Sequence, residues 1–416
     1  MSDYAVKDEK LAEQGMLNIE YAERNMQIMG KIKERFLKEK PFAGLTIGLA
    51  LHVTKETAVL VRTLIAGGAK VAIASCNPLS TQDDVAAALA KEGINVFAKK
   101  GESKEEYYEY IEQVVARNPD ITIDDGCDLI SALHTKHPEK LSKVIGGCEE
   151  TTTGVIRLRA MAKDNALKIP VIAVNDNKTK HLLDNYYGTG QSSIDGLLRA
   201  TNTLIAGKTF IVGGYGDCGK GVALRAKGLG ANVIVTEVDA FRAMQATLDG
   251  YLVMPMMEAA KIGDIFITVT GDKHVIRLEH VKNMKDGAIL ANSGHFDCEI
   301  DVESISKAGK KRKIRPFLDE YDINGKKIYL CGEGRLINLA AAEGHPSEVM
   351  ATSFAGQSLA CEFLVKNKGK LNPGVIVLPE EIDRNIAELQ LEVMNVKKDK
   401  LTEEQMKYLT SWQEGT

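Results

Sequence analysis

The sequence is poor in proline, tryptophan and long apolar runs, and each shortage excludes a class of protein. Its 416 residues include 10 prolines and a single tryptophan, Trp412, so no proline-rich linker marks a domain boundary. No stretch approaches the roughly 18 consecutive apolar residues that a membrane span requires. The first residues, MSDYAVKDEKLAEQG, are charged and lack the apolar core of a secretory signal. We therefore expect a cytoplasmic protein without a membrane partner.

An excess of one charge sign is also lacking, since 53 Lys and Arg residues stand against 57 Asp and Glu residues, for a formal net charge of −4. A nucleic-acid binder that depends on a strong positive field is thereby excluded. The main basic run, KAGKKRKIR at 307–315, is interpreted as a solvated loop that leads into a strand.

Cysteine is present but unpatterned. The seven cysteines are dispersed, their number is odd, and no C-x-x-C pair occurs. This spacing argues against a disulfide framework and against a metal site. We expect free thiols, mostly buried as small apolar side chains.

Short apolar runs alternate with helical segments from GLTIGLALHV (44–53) to PVIAVND (170–176), and the alternation begins again at KTFIVGGYGDCGKG (208–221). This pattern predicts an α/β fold of two doubly wound, Rossmann-like domains. A charged helix over about 18–38 precedes them. We place the substrate domain at 1–186, completed by about 346–378, the dinucleotide domain at 187–345, and a short C-terminal extension at 379–416, with hinges near 185–190 and 338–346.

A dinucleotide site is indicated by Gly214, Gly216 and Gly219, which form a G-x-G-x-x-G directly between a predicted strand and a predicted helix. Glu237 ends the next strand about twenty residues later, where a carboxylate would bind the ribose hydroxyls of NAD and repel the 2′-phosphate of NADP. Arg242 lies five residues further on and would soften that preference. The alternative is an ordinary glycine turn beside a strand-end glutamate.

Polar residues follow several predicted strands of the first domain, where an open α/β sheet binds its ligand. These are His52, Thr54, Ser80, Asp125 and Glu150, followed by Thr151, Thr152, Thr153, Asn175, Lys180, Asp184 and Asn185. Lys180 and Asp184 are spaced i, i+4 and would share a helix face, where a lysine beside a carboxylate can relay a proton. Singly, each residue has a plainer interpretation, as a surface ion pair, a helix cap or a core histidine.

Six segments in order resemble the S-adenosyl-L-homocysteine hydrolase family, from about residue 10 to about residue 410. They are DDGCDL, EETTTGV, VNDNKTK with DNYYGT, GGYGDCGKG, SGHFDCEID and GRLINLAAAEGHP. The resemblance implies reversible hydrolysis of S-adenosyl-L-homocysteine to adenosine and L-homocysteine, a reaction of one-carbon metabolism, by a homotetramer. Members keep NAD bound, oxidise the ribose 3′-hydroxyl, eliminate homocysteine from C5′, add water, and reduce the ketone again.

The resemblance also implies a role for each matching residue. Lys180, Asp184 and Asn185 would serve the 3′-hydroxyl, His52 and Asp125 would handle protons at C4′ and C5′, and His295 would lie beside the nicotinamide. The substrate would be bound by Thr54, Glu56, Ser80, Glu150, Lys180, Asp184 and His345. NAD would be bound by Thr151, Thr152, Thr153, Asn185, Gly214, Gly216, Asp217, Gly219, Glu237, Arg242, Thr270, Ser293, His295 and Asn338.

The sequence departs from the family at several positions. Thr189 replaces a usual cysteine, Arg242 a usual asparagine, and Glu343 a usual apolar residue near the expected purine. The sequence ends at LTSWQEGT, without the tail that reaches a neighbouring NAD site in many relatives, so we expect weaker NAD retention.

The purine stays open, because Glu56 can accept from adenine N6 or from hypoxanthine N1–H, and a branch of the family prefers the S-inosyl substrate. Two rivals remain beside the hydrolase. One is a simple NAD-dependent dehydrogenase that releases NADH, and the other is a catalytically silent, NAD-binding regulatory paralogue.

Overall fold

The computed structural model describes residues 3–413, so the first two residues and the last three of the predicted C-terminal extension lie outside the described residues. The strands are β1 (Thr46–Ala50), β2 (Lys70–Ala74), β3 (Asn95–Phe97), β4 (Ile121–Asp124), β5 (Gly146–Glu149), β6 (Pro170–Ala173), β7 (Thr209–Gly213), β8 (Asn232–Thr236), β9 (Leu252–Val253), β10 (Ile265–Thr268), β11 (Ile289–Asn292), β12 (Lys310–Arg315), β13 (Leu318–Ile323), β14 (Lys326–Cys331) and β15 (Gly374–Ile376).

Helices separate most of these strands. They are α1 (Ala12–Asn25), α2 (Gln27–Glu39), α3 (Lys55–Ala66), α4 (Asp83–Lys91), α5 (Lys104–Ala116), α6 (Asp128–Lys136), α7 (Thr152–Lys163), α8 (Lys178–Lys180), α9 (Thr189–Thr201), α10 (Asp217–Gly228), α11 (Ala240–Leu248), α12 (Met256–Ile262), α13 (Leu278–Asn283), α14 (Val302–Ala308), α15 (Ile337–Ala340), α16 (Ser347–Lys366), α17 (Glu380–Val393) and α18 (Glu403–Thr410). A π-helix, His181–Gly188, joins α8 to α9.

The first sheet is parallel, in the order β15-β6-β5-β4-β1-β2-β3. Its strands are apolar and buried because helices cover both faces. The register aligns Ala50 with Asp124 and Asp124 with Glu149, so the residues that follow β1, β4 and β5 leave the sheet at one edge. We call this sheet with its helices, including α16 and α17, the first lobe.

The second sheet has the order β12-β13-β14-β11-β10-β7-β8-β9 and belongs to the second lobe, with helices α9 to α15. Strands β7 to β11 and β14 run parallel, while β13 is antiparallel to both β12 and β14. The predicted α/β class with two Rossmann-like sheets is confirmed, and the antiparallel edge is an addition that the alternating pattern did not predict.

Two local predictions were wrong. The N-terminal helix is two helices, because Met26 leaves helical geometry at φ −109° and ψ 52° and is fully buried between them. The basic run at 307–315 is mostly strand β12 and not a loop. Its basic residues lie beside acidic residues of the neighbouring strand β13. The ion pairs Lys311–Asp319 at 2.9 Å and Arg312–Glu320 at 2.9 Å explain why so basic a segment can form a strand.

Within residues 3–413, no helix is both long enough and apolar enough to cross a membrane. All seven cysteines are free thiols, and Cys76, Cys127, Cys148, Cys331 and Cys361 are buried, as expected.

Candidate active site

A cavity of about 980 Å³ lies between the carboxyl edges of the two sheets. In the first sheet the strand order reverses between β1 and β4, and in the second between β7 and β10. Open α/β sheets bind ligands at such reversals, because the loops that follow the two strands diverge and leave a crevice. His52 and Asp125 follow the first pair of strands, and Gly214 and Thr270 follow the second; all four line the cavity.

The ammonium of Lys180 is buried in this cavity among polar side chains. Its Nζ lies 3.2 Å from Asp184 Oδ1 and 3.8 Å from Glu150 Oε1, and it donates to Asn185 Oδ1 at 2.8 Å. Burial alone would lower the pKa of Lys180, but the charges of Asp184 and Glu150 outweigh it and raise that pKa above its usual value. Lys180 therefore stays protonated at neutral pH.

The carboxylate of Asp184 is shifted in the opposite direction. Burial opposes its charge, but Lys180 and His345 outweigh burial and hold the pKa of Asp184 well below its usual value. His345 contributes through Nδ1, which lies 3.4 Å from Asp184 Oδ1. Lys180 is the last residue of α8, and Asp184 lies in the π-helix that follows. The wider turn of the π-helix still places these two residues, predicted at i, i+4, in contact.

Two histidines flank the carboxylate of Asp125. His52 Nε2 lies 3.4 Å from Oδ2, and His295 Nδ1 lies 3.5 Å from Oδ1, with the two imidazole centroids 6.1 Å apart. Burial lowers the pKa of His52 to about 4, although the charge of Asp125 works against this. His52 is thus a neutral imidazole near pH 7, able to accept a proton.

Ser80 lies behind His52 and does not line the cavity, since its Oγ is 2.7 Å from His52 Nδ1. Cys76, which sequence reasoning missed, lies 3.2 Å from the same nitrogen through its Sγ. Burial raises the pKa of the Cys76 thiol well above its usual value, so it is a neutral neighbour. Cys76 follows the carboxyl end of strand β2, and this position could have identified it as a residue near the site.

Helix α16 fixes the two predicted carboxylates Glu56 and Glu150, and sequence reasoning missed the side chains of α16 that hold them. Ser353 Oγ donates to Glu150 Oε1, Gln357 Nε2 donates to Glu150 Oε2 at 2.5 Å, and Ser347 Oγ donates to Glu56 Oε1 at 2.6 Å. Burial raises the pKa of Glu150 to about 7, which the charge of Lys180 partly offsets. The i, i+4 spacing of Ser353 and Gln357, which places both on one face of the helix, was a usable signal.

Thr189 occupies the position at which the sequence departs from the family's cysteine. Its Oγ1 lies 3.3 Å from His345 Nε2 and accepts from Cys218 Sγ at 3.5 Å. Burial raises the pKa of Cys218 to about 11. The hydroxyl therefore joins a histidine of the cavity to a neutral thiol of helix α10.

A glycine turn of the second lobe forms one part of the cavity wall from backbone. Gly214 has φ +103°, and a Cβ on Gly219 would lie 2.0 Å from the carbonyl oxygen of Gly214. Helix α10 can approach the turn only because both residues are glycine, and Gly216 immediately precedes its first turn. Unpaired N–H groups of that turn suit a pyrophosphate.

Glu237 and Asn338 complete the features that a dinucleotide needs. Glu237 accepts from the backbone N–H of Tyr215 at 2.7 Å and of Val238 at 2.7 Å, which holds its carboxylate beside the glycine turn. Asn338 Nδ2 donates to Ser192 Oγ at 3.2 Å, but its buried Oδ1 has no hydrogen-bond partner among the described residues. An orphaned amide oxygen in a cavity suits a donor such as a carboxamide, so the residues fit NAD.

The structure brings nearly all predicted site residues to this one cavity. Besides those already placed, the lining includes Thr54, Thr151, Thr152, Thr153, Asp217, Arg242, Thr270 and Ser293. Ser80, Asn175 and Gly219 do not line it. Ser80 supports His52, Asn175 Oδ1 accepts from Lys180 Nζ at 3.4 Å, and Gly219 packs under the turn. Glu343 lines it, but its carboxylate pairs with Lys55 at 2.9 Å and Arg199 at 3.3 Å, so it is not a free acceptor for a purine.

Two sequence models of one family match the chain. The sequence model of the NAD-binding domain of S-adenosyl-L-homocysteine hydrolase matches residues 185–344, and that of S-adenosyl-L-homocysteine hydrolase matches residues 3–140. A solved structure of a dipicolinate synthase from Bacillus halodurans is 14% identical with a TM-score of 0.48 and covers 78% of this chain and 99% of its own, a similarity too slight to carry any argument.

Full-length relatives are much more similar. S-inosyl-L-homocysteine hydrolase of Methanocaldococcus jannaschii is 58% identical over 99% of this chain and 100% of the relative. Adenosylhomocysteinase of Aquifex aeolicus is 58% identical over 100% of both chains, and that of Saccharolobus solfataricus 58% over 99% and 100%. The chain belongs to the S-adenosyl-L-homocysteine hydrolase family and is a hydrolase that uses NAD.

Proposed function

We propose that the protein catalyses the reversible hydrolysis of S-adenosyl-L-homocysteine to adenosine and L-homocysteine, through transient oxidation at C3′, elimination at C5′ and addition of water. One observation carries this proposal: the buried Lys180–Asp184 pair, the His52–Asp125–His295 group and the dinucleotide turn open into a single cavity. A dehydrogenase needs only one proton-transfer group beside its cofactor, whereas elimination followed by hydration needs a second.

NAD would be held by the backbone turn of Gly214 and Gly216, by Glu237 at the ribose, and by Asn338 at the carboxamide. When bound, NAD supplies the two-electron acceptor that oxidation of a ribose hydroxyl requires. Thr270, which would contact NAD, is held in place by Glu299. The Glu299 carboxylate accepts from the backbone N–H of Thr270 at 3.0 Å and from its Oγ1 at 3.0 Å.

At the ribose, Lys180 would donate a hydrogen bond to the 3′-oxygen and stabilise negative charge as the hydroxyl proton leaves. Its ammonium can pass a proton to Glu150, whose Oε1 lies 3.8 Å away and whose pKa of about 7 makes it the better acceptor, while Lys180 takes the proton of the hydroxyl. Asp184, whose pKa is held low, stays charged 3.2 Å from Nζ and keeps the ammonium in position. Asn185 Oδ1 accepts from Lys180 and fixes the direction of the ammonium. Glu150, held by Ser353 and Gln357, would bind the neighbouring ribose hydroxyl.

At C4′ and C5′, the neutral imidazole of His52 would accept a proton, and Asp125 would share it through the 3.4 Å contact. The same pair would protonate the departing thiolate and take a proton from the water that adds. His295 approaches the other oxygen of Asp125 and would orient it. The buried walls exclude other water from the reactive intermediate.

S-inosyl-L-homocysteine is the second candidate substrate, because relatives with this name and with the adenosyl name are equally similar at 58% identity. Glu56 Oε1 is taken by Ser347, which leaves Oε2 to accept from either purine. Adenine would donate from N6 and hypoxanthine from N1–H, so the carboxylate alone favours neither.

The test is release of the homocysteine thiol from both thioethers by one preparation of NAD-loaded enzyme, read with a thiol reagent. We expect turnover of both, with kcat/KM values that differ at least about tenfold, because a site built for one hydrogen-bonding pattern leaves groups unpaired with the other. A higher value for the adenosyl substrate would support the main proposal. A higher kcat/KM for the inosyl substrate would assign the second candidate. Net accumulation of NADH without thiol release would indicate a dehydrogenase, and no turnover a silent paralogue.

We further propose a cytoplasmic homotetramer in which the units 1–186 with 346–378, and 187–345, act as separate domains. Free thiols at all seven cysteines suit a reducing compartment. The face of α11 that carries Phe241, Met244 and Leu248 is exposed, which suits a contact with another copy of the chain. Light scattering at several concentrations tests the assembly, and a monomer at all of them would refute it.

A further inference from the structure

The segment 341–346 returns the chain from the second lobe to the first, between α15 and α16, and Glu343 lies in its middle. The two oxygens of this carboxylate face cations from different lobes. Lys55 Nζ, at the start of α3 in the first lobe, is 2.9 Å from Oε2, and Arg199 Nη2, on α9 in the second lobe, is 3.3 Å from Oε1. One side chain thus bridges the two lobes at the cavity wall.

The backbone around Glu343 is attached to both lobes as well. Gln82 Nε2 donates to the carbonyl oxygen of Glu343 at 3.4 Å, and Gln82 Oε1 accepts from the backbone N–H of Lys55 at 3.0 Å. Lys100 Nζ donates to the carbonyl oxygen of Ala340 at 2.8 Å. On the second-lobe side, Gly344 N donates to Asn338 O at 2.9 Å. The segment is therefore positioned by contacts of both lobes.

The position of this segment decides where His345 lies, two residues after Glu343. His345 contacts Asp184 Oδ1 at 3.4 Å and Thr189 Oγ1 at 3.3 Å. The fit is close, since a Cβ on Gly188 would lie 2.7 Å from His345 Nδ1. A small displacement of the segment would therefore break the contact between His345 and Asp184.

We propose that Glu343 is a positioning residue, an ion-pair latch that joins Lys55 of the first lobe to Arg199 of the second and holds His345 against Asp184. This inference rests on the proposed function, in which a substrate is held between the lobes. Separation of the lobes must break one of the two ion pairs, so the latch favours the arrangement in which the cavity is complete.

The size of the effect follows from exposure. The Glu343 side chain is 59% exposed and that of Lys55 is 12% exposed, so the pairs are partly screened by solvent. Partly exposed ion pairs contribute little free energy each. The two pairs of Glu343 together correspond to about a fivefold change in the equilibrium constant between joined and separated lobes. The latch should therefore tune substrate binding without abolishing turnover.

The experiment compares Glu343→Gln with Glu380→Gln, both loaded with NAD. Glu380 is a matched control because it also pairs with two cations, Lys178 at 2.9 Å and Arg384 at 3.0 Å, and its side chain is 62% exposed, but both partners lie in the first lobe. We expect Glu343→Gln to raise KM for the thioether about fivefold with kcat within about twofold of wild type. High salt should raise KM of the wild type and leave that of Glu343→Gln almost unchanged.

A second readout does not depend on turnover. Amide hydrogen exchange of residues 340–346 should be faster in Glu343→Gln than in the wild type or Glu380→Gln. Arg199→Gln should reproduce the change in KM, and the double variant should be no worse than the more affected single one.

Unchanged exchange and KM in Glu343→Gln, or equal changes in Glu380→Gln, would overturn the latch. A wild type that releases no thiol would instead refute the proposed function, and the exchange experiment would still decide the latch.

Discussion

The two sheets contribute different kinds of groups to the cavity at their carboxyl edges. The first lobe contributes ionisable side chains, with Lys180, Asp184 and Glu150 all 5% exposed or less. The second contributes the glycine turn of Gly214 and Gly216, and its carboxylate Glu237 is held by backbone N–H groups. Buried charges shift each other's pKa values and can move protons, whereas a backbone turn recognises shape and phosphate. The difference assigns proton transfer to the first edge and cofactor binding to the second.

The largest expected effect is that of Lys180→Ala, a variant that should impair proton transfer and leave cofactor binding intact. Loss of the ammonium should lower kcat about a thousandfold, because the 3′-oxygen loses its donor and its proton relay. The dissociation constant of NAD should change little, since Lys180 lies at the first edge. Steady-state kinetics and calorimetric NAD titration measure the two quantities.

Lys178→Ala is the control for this variant, because Lys178 is a surface residue, 67% exposed, that pairs with Glu380 at 2.9 Å. It should retain wild-type turnover. If Lys180→Ala stayed within about tenfold of the wild-type kcat, the assignment of proton transfer to the first edge would be wrong.

The second effect tests the other edge through Gly219→Ala. The added Cβ would lie 2.0 Å from Gly214 O, a backbone atom that cannot move aside, so α10 and the turn must separate. We expect the dissociation constant of NAD to rise by roughly tenfold to a hundredfold. Gly228→Ala, on the same helix, meets nothing within 4 Å and should bind NAD normally. Equal affinities in the two variants would contradict the role of the close approach.

The third effect is on stability, and not on turnover or cofactor binding, and it concerns pH and Glu150→Gln. Burial raises the pKa of Glu150 to about 7, above its unfolded value of 4.5. Its contribution to stability is therefore fully present below pH 4.5 and is lost as pH rises through 7. Relative to Glu150→Gln, the free energy of unfolding of the wild type should fall by about 3 kcal/mol over this window.

Urea unfolding at a series of pH values from about 4 to about 8 measures the difference. Glu279→Gln, at an exposed site, should follow the wild-type pH dependence. Parallel curves for the wild type and Glu150→Gln would show that the first edge does not carry the buried charge proposed.

Much of this site could be predicted because its residues belong to local patterns. His52, Asp125 and Glu150 each follow an apolar run, and parallel strands bring such residues together whatever the details of the loops. Gly214 and Gly219 were recognisable from their spacing. These predictions needed only the period of the strands and the direction of the sheet.

The rest depends on contacts between distant parts of the chain. Ser353 and Gln357 reach Glu150 from more than 200 residues away, and Glu343 finds its partners on both lobes. No local pattern states which helix packs against which carboxylate. The same limit explains β12, whose basic sequence is typical of a loop until strand β13 supplies acidic partners.

Strand β12 also has a consequence for how the protein behaves at high concentration. It is one of the two outer strands of the second sheet, and all of its residues are exposed. An open strand edge invites pairing with other chains, which leads to aggregation. Here that edge carries Lys310, Lys311, Arg312, Lys313 and Arg315, so two such edges repel one another. The basic residues of β12 thus keep copies of the protein from pairing through their strand edges. Replacing them by neutral residues would make concentrated solutions aggregate sooner.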